Sequence, residues 1–136
     1  MIDTSVMVAG LVDNHESHEL ARPHVVRAAR GTVPGIVAAE SWAALRRGPW
    51  HLGAQVVEQL LAPWASSDRV AVTPADAYEY VLRNGRTLNL GGSVQYLLIA
   101  LTCAAHDLSL VTLDRRQATL ARTLPDLAAT LLLPDV

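Results

Sequence analysis

Three carboxylates in this 136-residue chain stand in apolar surroundings. Asp3 follows the stub Met1-Ile2 and precedes Val6-Met7-Val8. Asp114 directly follows the run Leu108-Ser109-Leu110-Val111-Thr112-Leu113. Glu40 stands alone in the stretch from Ile36 to Leu45, where small and apolar residues dominate. On a helix it shares a face with Ile36 and Ala44, its i−4 and i+4 neighbours. A buried carboxylate without a partner is costly, so an Arg, a proton or a metal must offset it. Each acid also has a plain structural role open to it. Glu40 can pair with an Arg or face solvent, and Asp3 and Asp114 can close a strand-end turn or cap a helix. Together, two strand-end aspartates and a glutamate on an adjoining helix make a hard-oxygen cluster. Mg²⁺ and Mn²⁺ take such carboxylate and water ligands. A cation so held can activate a water and stabilise a pentavalent phosphorus, which is the chemistry of phosphodiester hydrolysis.

The elements that must position these acids are marked by breaks in the sequence. Asp13 as N-cap with Glu16 three residues on forms a capping box. With Gly31 as a stop, this predicts a helix over about residues 15–30. Thr32-Val33 is a short extended piece ended by Pro34-Gly35. A second helix runs from Ile36 to about Arg47, before Gly48-Pro49, and a third from about Ala54 to Leu61, before Pro63. Arg69 to Val72 reads as a strand. Pro74 then opens a helix to about Arg83 as its N1 residue. Asn84-Gly85 and Asn89 to Gly92 are turns. Ser93 caps a helix to about His106, with Val94, Leu97, Leu98 and Leu101 as its buried stripe. Leu108 to Val111 is a strand, Arg115 to Leu124 a helix, and Ala128 to Leu133 a final strand. Apolar strands flanked by helices predict an α/β fold with a parallel sheet covered on both faces. Ligand groups in such folds gather at the carboxyl ends of strands, where Asp3 and Asp114 fall.

Composition sets the outer bounds. With 51% hydrophobic residues and a mean hydropathy of +0.24, the chain can fill a core and does not read as disordered. Its length fits a single domain over residues 1–136. A net charge of −2 excludes a strongly basic surface at the whole-chain level, while a local basic patch stays open. All 11 basic residues are Arg, whose planar fork binds phosphate bidentately. Cys103 is the only cysteine, so no intramolecular disulfide forms and a reducing, cytoplasmic compartment is expected. No run of about 18 apolar residues is present, so no membrane span is expected. The chain does not open with a basic stretch and an apolar run, so a signal peptide is not expected either.

Other groups read first as structure. His15 and His18 lie at i, i+3 without a second pair to complete a zinc site. Cys103 reads as a small buried side chain. Trp42, Trp50 and Trp64 read as packing residues, with base stacking as the rival. The pairs Arg46-Arg47 and Arg115-Arg116 either hold RNA phosphates or serve as ordinary surface charge. The helix bearing Val56, Val57, Leu60 and Leu61 either lies on the core or accepts a partner helix.

The order of several motifs resembles that of PIN-domain proteins, most closely the VapC-type toxins of bacterial toxin–antitoxin pairs. The motifs are Ile2-Asp3-Thr4-Ser5-Val6, Val37-Ala38-Ala39-Glu40, Leu90-Gly91-Gly92-Ser93-Val94, Leu97-Leu98-Ile99-Ala100 and Leu110-Val111-Thr112-Leu113-Asp114-Arg115-Arg116. The resemblance implies a PIN-like three-layer α/β sandwich and an endoribonuclease that depends on Mg²⁺ or Mn²⁺. It also implies a small cognate antitoxin of the VapB type that masks the site, and a homodimer. By motif position Asp3, Glu40 and Asp114 match three family acids. Ser5 and Thr112 match hydroxyl residues beside the first and last acid. Arg115 or Arg116 is placed to steady the RNA.

One position departs from the pattern. The family usually has an Asp two residues after Val94, and here Tyr96 stands there. The substitution leaves up to three carboxylates instead of four, so weaker metal affinity is expected and a second metal is not. A phenol is a poor metal ligand but can hold a water or a phosphate by hydrogen bond. The rival expectation is therefore a catalytically impaired PIN module that only binds RNA or its antitoxin.

Overall fold

Strand pairing is parallel throughout the computed structural model, which describes residues 1–89, 91, 94–125 and 127–132. In chain order the elements are α1 (Thr4–Leu11), α2 (His18–Ala28), β1 (Val33–Pro34), α3 (Gly35–Arg46), α4 (Ala54–Leu61), β2 (Val70–Ala71), α5 (Ala75–Asn84), α6 (Val94–Ala105), β3 (Leu110–Thr112), α7 (Arg115–Ala121) and β4 (Ala129–Leu131). Short 3₁₀ turns lie at Ala62–Trp64 and Ser67–Arg69. β1 pairs with β2, Val33 opposite Val70, and β3 pairs with β4, Leu110 opposite Ala129. Ile2 is bridged in parallel to Val111. The amide of Asp3 donates to the Val111 carbonyl at 3.1 Å, and the amide of Val111 donates to the Met1 carbonyl at 2.8 Å. Because the Leu110 amide donates instead to Ala128, β3 lies between the N-terminal segment and β4. Short parallel strands wrapped by helices are the expected α/β architecture, with the strands in two separate pairs among the described residues.

The largest difference from the sequence reading is α1. Met1 to Val12 shows no amphipathic period because Val6 through Gly10 are all buried, so no polar face marks the helix. Its start comes from Asp3, whose carboxylate accepts from the Val6 amide. The predicted start of α2 is also corrected. The capping box at Asp13 and Glu16 does not form; the helix begins at His18 after Ser17, and the Val12 carbonyl accepts from the His15 amide in a preceding turn. Pro74 is the N-cap of α5 rather than N1. β3 sits two residues later at its start than expected, and Leu108 is left exposed. α7 stops at Ala121 rather than Leu124. Of the α6 stripe, Leu97 and Leu98 are buried, while Val94 and Leu101 are half-buried. The predicted cap at Ser93 and the end of the last strand at Leu133 fall outside the described residues.

The main core joins Met7 and Val6 of α1, Val33 and Val37, Leu97 and Ile99 of α6, and Leu110 of β3. A smaller cluster of Val8, Val12, Leu45 and Val57 ties α4 to α1 and α3. α1 and α2 approach closely at Gly10, where a Cβ would meet the Val25 side chain at 2.3 Å. The indole of Trp64 is buried and donates to the Ala28 carbonyl at 3.0 Å. Cys103 is fully buried and packs against Met1; burial pushes its thiol up to about 11. It is the small core residue that its setting suggested.

Candidate active site

Asp3 sits where the extended N-terminal segment turns into α1, and only 2% of its surface is exposed. Its Oδ1 accepts from the Ser5 hydroxyl at 2.6 Å and from the Val6 amide at 3.1 Å, and its Oδ2 accepts from the Thr112 hydroxyl. Burial raises its pKa above the ordinary Asp value. The bonds from Ser5, Thr112 and Val6 oppose that rise, and the charge of Asp114 adds to it. Ser5 and Thr112 do more than touch Asp3. The Ser5 oxygen accepts from the Leu113 amide at 3.0 Å, and the Thr112 oxygen accepts from the Asp114 amide at 2.9 Å. Two hydroxyls thus join the first acid to the backbone that presents the last.

Asp114 is the N-cap of α7. Its Oδ1 accepts from the Arg116 and Gln117 amides at 2.8 and 3.4 Å. Its Oδ2 accepts from the Tyr96 hydroxyl at 2.7 Å. Accepting this bond, Asp114 raises the Tyr96 pKa above the usual phenol value. Burial and the carboxylate charges of Asp114 and Asp3 act the same way, and Arg116 opposes them. Glu40 lies mid-helix on α3, half-buried, with Oε1 accepting from the Thr4 hydroxyl at 3.0 Å. The Arg partner considered for it does not appear: among the described residues the ion pair is Arg83 with Glu79.

These groups converge. Asp3, Glu40, Tyr96, Asp114 and Gln117 line one cavity of about 230 Å³, together with Thr4 and Ser5. The aspartates therefore act as helix caps and also face a shared space. Arg115 and Arg116 lie outside it, exposed, along an adjoining groove. Arg46 instead donates to the Leu52 carbonyl at 3.1 Å. His15 and His18 do not converge. The Nδ1 of His15 accepts from the Ser17 amide and its ring lies against Trp50, while the Nδ1 of His18 bonds the Ala9 carbonyl.

Two site residues escaped the sequence reading. Thr4 meets Glu40 across 36 positions, with no local signal. Gln117 had one: Asp114-Arg115-Arg116-Gln117 has capping-box spacing. In the structure the Gln117 amide nitrogen donates to the Tyr96 carbonyl at 2.9 Å rather than back to the cap. Its Oε1 is buried without a partner.

The PIN-domain family model matches residues 1–123. The chain belongs to the PIN-domain family. PIN domains are generally nucleases and usually use divalent metal ions. No curated protein matches the chain. Among the described residues, no three His, Cys, Asp or Glu side chains are grouped to hold a metal. The cavity nevertheless brings the hard carboxylate oxygens of Asp3, Glu40 and Asp114 to one wall, while the unpartnered Gln117 Oε1 is sealed from solvent. Three carboxylates are the kind of donor that Mg²⁺ or Mn²⁺ takes alongside several waters.

Proposed function

We propose that this PIN domain is a metal-dependent endoribonuclease, the toxin of a VapC-type pair, working slowly on RNA in the cytoplasm. The observation that carries the reading is the convergence of Asp3, Glu40 and Asp114 on one cavity. Asp3 and Asp114 would hold Mg²⁺ or Mn²⁺, with Glu40 on the same cavity wall. Such an ion supplies positive charge to a pentavalent phosphorus and lowers the pKa of a nucleophilic water. Glu40, oriented by Thr4, accepts the proton of the attacking water. The caps and hydroxyl bonds fix the aspartates before substrate arrives, so no reorientation is required in the transition state. Arg115 and Arg116 steady the RNA backbone.

A VapB-type antitoxin and a second copy of the chain are the proposed partners. What supports a partner is the outward face of α5, where Tyr78 and Leu82 lie one turn apart and are 50% and 85% exposed.

A second reading rests on the Tyr96 bond to Asp114, which sets a neutral donor where the family has an acid. It makes the protein an impaired nuclease that retains binding. Incubating purified protein with single-stranded RNA in Mn²⁺ and in chelator separates the two. The first reading expects slow cleavage that chelator and Asp3→Asn abolish and that, at saturating RNA, Tyr96→Asp accelerates. Folded protein that leaves RNA intact even as Tyr96→Asp overturns the nuclease reading.

A further inference from the structure

Tyr96 is part of the wall of two cavities. On one side lies the acid cavity; on the other is a groove of about 350 Å³ lined by Leu88, Thr119 and Leu120 together with Arg115 and Arg116. We infer that this groove is a nucleotide subsite: it takes the base next to the cleaved phosphate, with Tyr96 as the platform and the two arginines as phosphate contacts. The inference rests on the endoribonuclease reading and adds the place where the substrate is held.

Three observations carry it. The lining is apolar and aromatic, which suits the face of any base, since stacking needs no particular hydrogen-bond pattern. The charged lining residues are both Arg, exposed and permanently cationic, with a fork matched to phosphate oxygens. The groove and the acid cavity share one lining residue, Tyr96, whose hydroxyl touches Asp114. A base lodged there leaves its adjoining phosphate beside the carboxylates. Thr4 and Ser5 are shared between the acid cavity and another of about 690 Å³. The acid cavity thus adjoins one cavity at Tyr96 and a second at Thr4 and Ser5, as a scissile phosphate adjoins two nucleotides. An acidic peptide would satisfy the arginines but gives no use to the aromatic wall. The departure from the family therefore has a positive role: a metal-ligand position has become a base platform.

The test uses a fluorescein-labelled, single-stranded 2′-O-methyl RNA, which cannot be cleaved, titrated with full-length protein in chelator. Working without metal separates the groove from the nuclease reading: cleavage can fail while this binding stands. Stacking of one base predicts that Tyr96→Ala weakens binding roughly 5- to 160-fold. Tyr96→Phe keeps the ring and retains affinity although it loses the bond to Asp114. Arg116→Ala weakens binding regardless of sequence and reduces the salt slope by about 0.7. Thr119→Trp, at an exposed helix position, fills the groove and abolishes binding. Unchanged affinity in Tyr96→Ala and Thr119→Trp overturns the inference. So does a result in which only an acidic peptide binds and the same substitutions remove it.

Discussion

Replacing Tyr96 by Phe keeps the ring and deletes one hydrogen bond, so it isolates what the phenol does to Asp114. That bond is 2.7 Å long and ends on Oδ2, while Oδ1 is taken by the Arg116 and Gln117 amides. Oδ2 is the oxygen left for a cation, and the phenol proton already lies against it. A hydrogen bond to a charged group contributes roughly 1.5–3 kcal/mol. Both residues are only half-buried, so water recovers part of the loss and about 1.5 kcal/mol, the low end, applies. In chelator, Tyr96→Phe should lose about that much stability, or roughly 4–7 °C in Tm for a chain of this size. Binding a cation at Oδ2 weakens the phenol bond in the parent; the variant has nothing to give up. Its Mn²⁺ affinity should therefore rise about tenfold. Scanning calorimetry in chelator reads the first effect and titration calorimetry with Mn²⁺ the second. A variant that melts like the parent and binds Mn²⁺ no tighter refutes the reasoning.

Gln117→Leu removes an unsatisfied buried carbonyl along with a donor to Tyr96, so metal-free stability should change by less than about 1 kcal/mol. The Mn²⁺ shift in thermal unfolding should stay as in the parent, because the lost oxygen is sealed from solvent; a shrunken shift would place that oxygen at the site. Gly10→Ala forces a methyl into Val25, and chemical denaturation should show a loss of about 1–3 kcal/mol with no change in Mn²⁺ affinity. Cys103, with its thiol at about 11 and no exposed surface, should resist iodoacetamide at pH 8 in the native state and react on unfolding, as mass spectrometry would show.

Patterns confined to one element were readable in the sequence. α4 begins and ends where Gly53 and Pro63 suggest, and α3 differs from its expected span by one residue at each end. Both have a breaker on each side and some sidedness to read. α1 has neither: it is buried around its circumference, so hydrophobic period is lost, and its one start signal, Asp3, had already been assigned to a strand end. The false capping box at Asp13 fails for the opposite reason. The spacing is right, but the His15 ring takes the Ser17 amide and the turn runs on.

The site shows the same division between local and distant. That Asp3 and Asp114 could be caps or metal ligands was visible as a choice; the structure shows both as helix caps and both on the wall of one cavity. A cap bond consumes one oxygen and fixes the carboxylate plane. For Asp114 it holds Oδ1 on the α7 amides and leaves Oδ2 to the Tyr96 hydroxyl. On the proposed reading the structural role aims the chemical one, and an Asn that preserves the cap while losing the charge separates them. Tyr96 was legible only as a missing acid. Its bond to Asp114 spans 18 positions and joins the first turn of α6 to the cap of α7. A substitution that reads along the chain as subtraction is, in the folded protein, a new donor to one acid and a shared wall between the acid cavity and the groove beside it.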